Sequence, residues 1–136
     1  MALMIWTEKL SVGVKVLDDD HKKLIAIINE MDEGIAAGHK KEVLMSVLDH
    51  LVDYTKIHFA REEEFFSQAQ YTAEAAHKHE HDLLTQRVMS VQARCKDGSV
   101  AMLGLELMSF LKNWLVGHIQ GSDQKYRNQL NAKGIR

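Results

Sequence analysis

Seven residues combine a metal-ligating side chain with a spacing that can bring them together: His21, His58, Glu62, His77, His81, His118 and Asp123. His58 and Glu62 are four apart, as are His77 and His81, and residues four apart share one face of a helix. The stretch AHKHEHDLL at 76–84 shows what that periodicity selects. At ~100° per residue, His77 and His81 fall about 40° apart, whereas His79 falls about 200° from His77, on the far side. A helix therefore pairs His77 with His81 and leaves His79 out.

Ligand type sets the chemistry. Imidazole suits zinc, copper, iron and nickel, and carboxylates suit harder or higher-valent ions. Seven protein ligands are too many for one ion but suit two, with Glu62 and Asp123 as bridges. Five imidazoles, two bridging carboxylates and one solvent-derived oxygen bridge fill all but one position of two octahedral ions. An open position on a redox metal in a water-poor core is a place for O2. Asp123 is the geometric difficulty, because on an ideal helix it lies about 140° from His118. Gly121 stands between them, so a local break or tightened turn is expected there.

These side chains need elements to hold them. Leu17, His21, Leu24, Ile25, Ile28, Met31 and Ile35 follow three-four spacing, which predicts a helix over roughly 19–37. Asp18, Asp19 and Asp20 place negative charge at its start, and Gly38 is its stop. Leu44, Val47, Leu48, Leu51, Tyr54, His58, Glu62 and Phe65 predict a second helix over about 40–67. Thr72 is the expected N-cap of a third, about 72–96, along which His77, His81, Leu84, Val88, Val91 and Cys95 share a stripe. Lys96-Asp97-Gly98-Ser99 reads as a turn. Val100, Leu103, Leu107, Phe110, Leu111, Trp114 and His118 predict a fourth helix over about 100–117, followed by a short helix or tail over 123–136. Residues 1–17 carry no helical period and read as an extended arm packed down by Trp6.

Four amphipathic helices with short connections make an all-α, up-down-up-down four-helix bundle in one domain. In that topology the start of the first helix, the end of the second, the start of the third and the end of the fourth lie at one height. His21, His58 with Glu62, His77 with His81, and His118 occupy those four places, so they can meet at one end of the bundle. Burying one ionisable side chain on an apolar stripe is expensive. Six on four stripes at matching heights point to a metal.

The chain has 136 residues, a formal net charge of −2, one cysteine, no proline and eight histidines. No basic block marks a nucleic-acid partner. Cys95 alone forms no internal disulfide and fits a reducing compartment. The start, MALMIWTEKL, lacks the features of a signal peptide, and no window reaches the length of a membrane span. The expected location is the cytoplasm, and the expected state is a monomer.

The motifs His21-Lys22-Lys23-Leu24, His58-Phe59-Ala60-Arg61-Glu62-Glu63, His77-Lys78-His79-Glu80-His81 and His118-Ile119-Gln120-Gly121-Ser122-Asp123 resemble those of the hemerythrin family. The family order of H, HxxxE, HxxxH and HxxxxD is kept at all seven positions, and the resemblance covers essentially the whole chain. It is nearest to the single-domain bacterial branch. The resemblance implies a four-helix bundle with a non-haem di-iron centre that binds O2 reversibly. His77, His81 and His118 would hold one iron, and His21 and His58 the other, which carries the open position. Glu62 and Asp123 would bridge both, beside an oxo or hydroxo bridge. O2 would take two electrons from the irons and the proton of the bridging hydroxide. The implied role is oxygen carriage, storage or delivery, without catalytic residues, and an oxygen-consuming recipient protein is the implied partner.

The remaining residues have plainer readings. His39, His50 and His79 are solvated surface residues, and Glu63 and Glu64 belong to a solvated helix face. The methionines are core filler. Cys95 is a buried hydrophobe. Trp114 either packs against the site or simply fills the core, and Leu115 and Ile119 are the expected lining of an O2 route. Only one ExxH occurs, Glu74-Ala75-Ala76-His77, whereas carboxylate-rich di-iron bundles use two. With no tyrosine or cysteine base expected beside the metals, binding without O–O cleavage is favoured. The alternatives are O2 or redox sensing, a minor di-iron enzyme activity (peroxidase, nitric oxide reductase or ferroxidase) and a structural zinc site, which prefers four ligands.

Overall fold

Three-four spacing of apolar side chains winds most of the chain into four long helices, as the computed structural model shows. The structure describes residues 4–38, 40–97 and 100–136, with the backbone alone at 100–107. Helix α1 spans Lys15–Ala36, α2 Lys41–Ala69, α3 Glu74–Asp97 and α4 Val100–Gly117. A π-helical turn, His118–Ser122, and a 3-10 turn, Asp123–Tyr126, lead into the short helix α5, Arg127–Ala132. The result is an all-α, up-down-up-down four-helix bundle with an extended N-terminal arm. The described residues contain no strand. No helix among them is long and apolar enough to cross a membrane.

The stripes face a common core in which Leu17, Leu24, Ile28, Leu48, Leu51, Leu111 and Leu115 are fully buried. Val88 and Cys95 continue it along α3. Val100, Leu103 and Leu107 of the expected fourth stripe lie outside the described side chains. His39, Gly98 and Ser99 lie outside the described residues.

Several boundaries differ from the sequence expectation. Helix α1 begins at Lys15, inside the expected arm. Val14 at its N-cap offers no side-chain cap, but Asp18 does the work from within the helix. Its carboxylate accepts the Ser11 hydroxyl (2.6 Å) and the Val12 N–H (2.8 Å), folding the arm over the helix start. Gly13 between them has φ +75°, which favours glycine, and a Cβ there would also lie 2.5 Å from the Arg127 side chain, which would have to shift. Asn131 and Gln124 donate to the Gly13 and Ser11 carbonyls, pinning the arm to the C-terminal segment. Trp6 is half-buried with the Lys22 ammonium 4.3 Å above its ring. Thr72 does not cap α3: its hydroxyl accepts from Gln129 at 2.9 Å, tying the α2–α3 connection to α5. Lys96 and Asp97 are the last turn of α3, not a loop.

Candidate metal centre

All seven candidate side chains converge at the end of the bundle that the topology predicts. None is more than 4% exposed. Their ligand atoms form two overlapping groups: Glu62, His77, His81, His118 and Asp123 in one, and His21, His58, Glu62 and Asp123 in the other. Glu62 and Asp123 belong to both. His77 and His118 each bring Nε2 within 3.0 Å of Asp123 Oδ1, and His21 Nε2 lies 3.2 Å from Asp123 Oδ2. Glu62 Oε1 sits 3.3 Å from His58 Nε2 and 3.2 Å from His81 Nε2.

Asp123 reaches the cluster because the backbone changes its winding. The Asp123 N–H bonds to the His118 carbonyl five residues back, the closure of a π turn. That closure stacks residue i+5 over residue i, where an α-helix would stack i+4. The α winding is therefore broken, as one of the two expectations had it, but by a widened turn and not a tightened one, and the ~140° offset disappears. Beyond Asp123 the chain tightens into the 3-10 turn.

The donor set fits metal ions and little else. Nε2 of His77, His81 and His118, Glu62 Oε1 and both Asp123 oxygens are buried and lack a hydrogen-bond partner among the described residues. The same atoms stand 3.0–3.3 Å from one another. The separation is that of hydrogen bonds, yet these atoms make none among the described residues. His21 and His58 also bring two Nε2 atoms to 3.0 Å, lone pair toward lone pair unless one is protonated. An unsatisfied buried polar atom costs about 1–3 kcal/mol. A cation in each group satisfies the whole set.

Three outward nitrogens are locked. His58 Nδ1 donates to Asp20 (2.9 Å), His81 Nδ1 to Glu63 (3.0 Å) and His118 Nδ1 to Glu80 (2.7 Å). A carboxylate only accepts, so Nδ1 carries a proton and Nε2 is the atom a metal takes, in exchange for any proton held there. Each of these acids adjoins a cluster residue on its own helix and serves a histidine on the next, from α1 to α2, α2 to α3, and α3 to the turn after α4. The ring is incomplete at His21, whose buried Nδ1 has no partner among the described residues. Asp20 is held in turn by the Tyr54 hydroxyl (2.7 Å) and Arg61 (2.6 Å), and Glu80 by Ser122. These contacts overturn two sequence readings, because Asp20 is a buried hydrogen-bond partner and Glu63 is not merely solvated. Changing Asp20 to asparagine should weaken binding of one ion about 10- to 100-fold and spare the second, measurable by stepwise metal titration.

Tyr126 is a further correction. No tyrosine was expected beside the cluster, yet the fully buried Tyr126 hydroxyl donates to Glu62 Oε2 at 2.7 Å. Burial, with the Glu62 and Asp123 carboxylates, pushes its pKa well above the usual tyrosine value. The phenol stays protonated and anchors Glu62; it is not a base. Its place three residues after Asp123 is the signal that spacing offered.

Aromatic rings close the site. Phe59 stacks on His81 with centroids 3.8 Å apart, and Trp114 meets Phe59 edge-on at 6.2 Å. Phe66 covers His77 at 4.8 Å. Phe66, four residues after Glu62, is buried, whereas Phe65, expected on the stripe, is half-buried. His50 and His79 are exposed, and Leu115 and Ile119 are buried.

Without metal, protons balance the buried carboxylates. Burial works against charge on His58, but Glu62 and Asp20 outweigh it and raise its pKa to about 9. Burial likewise opposes charge on His118, yet Asp123 and Glu80 raise it to about 10. Both rings are therefore cationic at neutral pH and must be neutral to ligate. Loading near pH 7 should release about two protons per chain, and affinity should climb up to about a hundredfold per pH unit until pH 9. Calorimetry in buffers of different ionisation enthalpy counts those protons, and a pH-independent affinity contradicts the assignment.

Fold and site together define a helical-bundle protein with a buried His/Glu/Asp metal-binding cluster. Residues 12–130 match the hemerythrin HHE cation binding domain. The chain belongs to the hemerythrin family. It is 36% identical to a bacteriohemerythrin of Stenotrophomonas maltophilia, over 97% of this chain and 84% of that one. It is 35% identical to a bacteriohemerythrin of Methylococcus capsulatus, over 97% and 100%. A crystal structure of wild-type hemerythrin superposes with a TM-score of 0.85 at 32% identity, covering 95% of this chain and 98% of that chain.

Proposed function

We propose that this protein binds O2 reversibly at a non-haem di-iron centre, for oxygen carriage, storage or delivery, and that it is not an enzyme. One observation carries the reading: buried ligand atoms, most of them without a hydrogen-bond partner among the described residues, converge in two groups that share two carboxylates. His77, His81 and His118 hold one iron; His21 and His58 hold the other, which keeps the open position. Glu62 and Asp123 bridge them, beside a solvent-derived oxygen. The iron pair, when bound, supplies two electrons and the open position that O2 needs.

The chain's own residues favour binding over turnover. Asp20, Glu63 and Glu80 fix three imidazoles in the ligating tautomer. Phe59, Phe66 and Trp114 limit water around the pair. Tyr126 offers a hydrogen bond to Glu62 and no basic oxygen. The two-iron part is tested by anaerobic titration of the metal-free chain with ferrous ion. Two ions bound per chain is the expected end point. Saturation at one ion overturns the shared-carboxylate arrangement.

A further inference from the structure

Helices α3 and α4 leave an open groove of about 530 Å³ beside the cluster, walled in part by Glu80, Arg87, Phe110, Trp114, Gly117 and His118. The volume is in the range of small-molecule sites. Three features go beyond what two loosely packed helices leave by chance. Arg87 makes no ion pair among the described residues; its guanidinium lies 4.5 Å over the Phe110 ring, leaving its N–H fork free for an anion. Trp114 is 6% exposed, and its indole N–H has no acceptor among the described residues. Gly117 has ordinary helical backbone, and a Cβ there would meet nothing within 4 Å. Neither conformation nor crowding requires glycine at that point, and glycine in a helix costs about 1 kcal/mol relative to alanine. What glycine leaves is open floor next to His118.

The groove is also polar in a definite direction. Glu80 stands at the His118 end, 39% exposed, and Arg87 follows seven residues later, about 10 Å along α3. An elongated molecule with one anionic end is turned with that end toward Arg87 and its neutral end toward Trp114 and His118. Aromatic walls favour a flat ring there. From that end the path inward is short. His118 is itself a groove wall, and Phe59 links Trp114 at 6.2 Å to His81 at 3.8 Å.

We propose that the α3–α4 groove binds a planar aromatic anion that carries electrons, represented by reduced flavin mononucleotide, with the phosphate at Arg87 and the ring against Trp114, Gly117 and His118. Its electron-delivery part rests on the di-iron reading above. The reduced flavin gives up two electrons and two protons and becomes oxidised flavin. Each ferric ion takes one electron and becomes ferrous, and the protons leave to solvent at the open face. The groove thereby restores the ferrous pair that O2 binding requires.

The test titrates the iron-loaded protein with flavin mononucleotide and reads quenching of flavin fluorescence. Saturable binding of one flavin per chain is expected. Riboflavin, which lacks the phosphate, should bind about tenfold more weakly, as should flavin mononucleotide to Arg87→Glu. Gly117→Leu fills the floor and should abolish binding, while both variants retain two irons per chain. The rate at which reduced flavin mononucleotide bleaches the diferric protein should saturate with flavin in the wild type and fall about tenfold in Arg87→Glu. Absence of saturable quenching, or quenching untouched by both variants, overturns the groove assignment. Flavin binding by a chain that holds no iron overturns the di-iron reading and the electron step, but not the binding site. Two irons and reversible O2 binding without flavin binding overturn the groove proposal alone.

Discussion

Glu62→Ala protein should bind fewer than two metal ions per chain, with affinity lowered by more than the 10- to 100-fold that loss of an outer partner costs. The expectation follows from the position of one atom. Glu62 Oε1 faces His58 on α2 and His81 on α3 at nearly equal distances, so the residue serves both ligand groups. Its loss also strands the Tyr126 hydroxyl, fully buried, at a cost of about 1–3 kcal/mol. Glu62→Gln separates the two effects. It keeps the shape and an oxygen for Tyr126 to donate to, so the fold should hold while metal binding stays impaired. Metal analysis after desalting, beside thermal melts of both variants, is the check. Full metal content in Glu62→Gln would remove the carboxylate from the bridging role.

Stripping the metal should lower the melting temperature by roughly 20 °C or more. A ligand present at a thousandfold excess over its dissociation constant stabilises the folded state by about 4 kcal/mol. Two such ions contribute about 8 kcal/mol, comparable to the whole stability of an ordinary domain. A domain of this size shifts by roughly 3 °C per kcal/mol. The local reason is the set of buried nitrogens and oxygens that have no hydrogen-bond partner among the described residues. Melts with and without a chelator measure the effect. Coincident curves would mean that the cluster is stable empty.

The clustering of the seven side chains was legible because four-residue spacing on amphipathic stripes fixes both face and height. His58 with Glu62 and His77 with His81 needed only the helix period, and His21 and His118 needed only the order of the helices. Asp123 was legible by type but not by geometry, since a π turn has no composition of its own and Gly121 signalled only irregularity. The outer acids were hidden by their neighbours. Asp20 ends a run of three aspartates that reads as helix-start charge, and Glu63 sits inside Glu62-Glu63-Glu64, which reads as a wet face. Each is recognised only once the adjacent helix supplies a histidine to meet it. The start of α1 was missed for a similar reason. Val12, Val14 and Val16 alternate like a strand, and the Asp18 cap that starts the helix works backwards from its first turn.

The most direct test of reversible O2 binding is the optical spectrum of the ferrous protein, prepared anaerobically and cycled between O2 and argon. An absorption band that appears under O2 and disappears under argon over many cycles, at two irons per chain, is the predicted result. A one-way change to a stable oxidised spectrum on first exposure would contradict it and point to redox sensing or turnover instead.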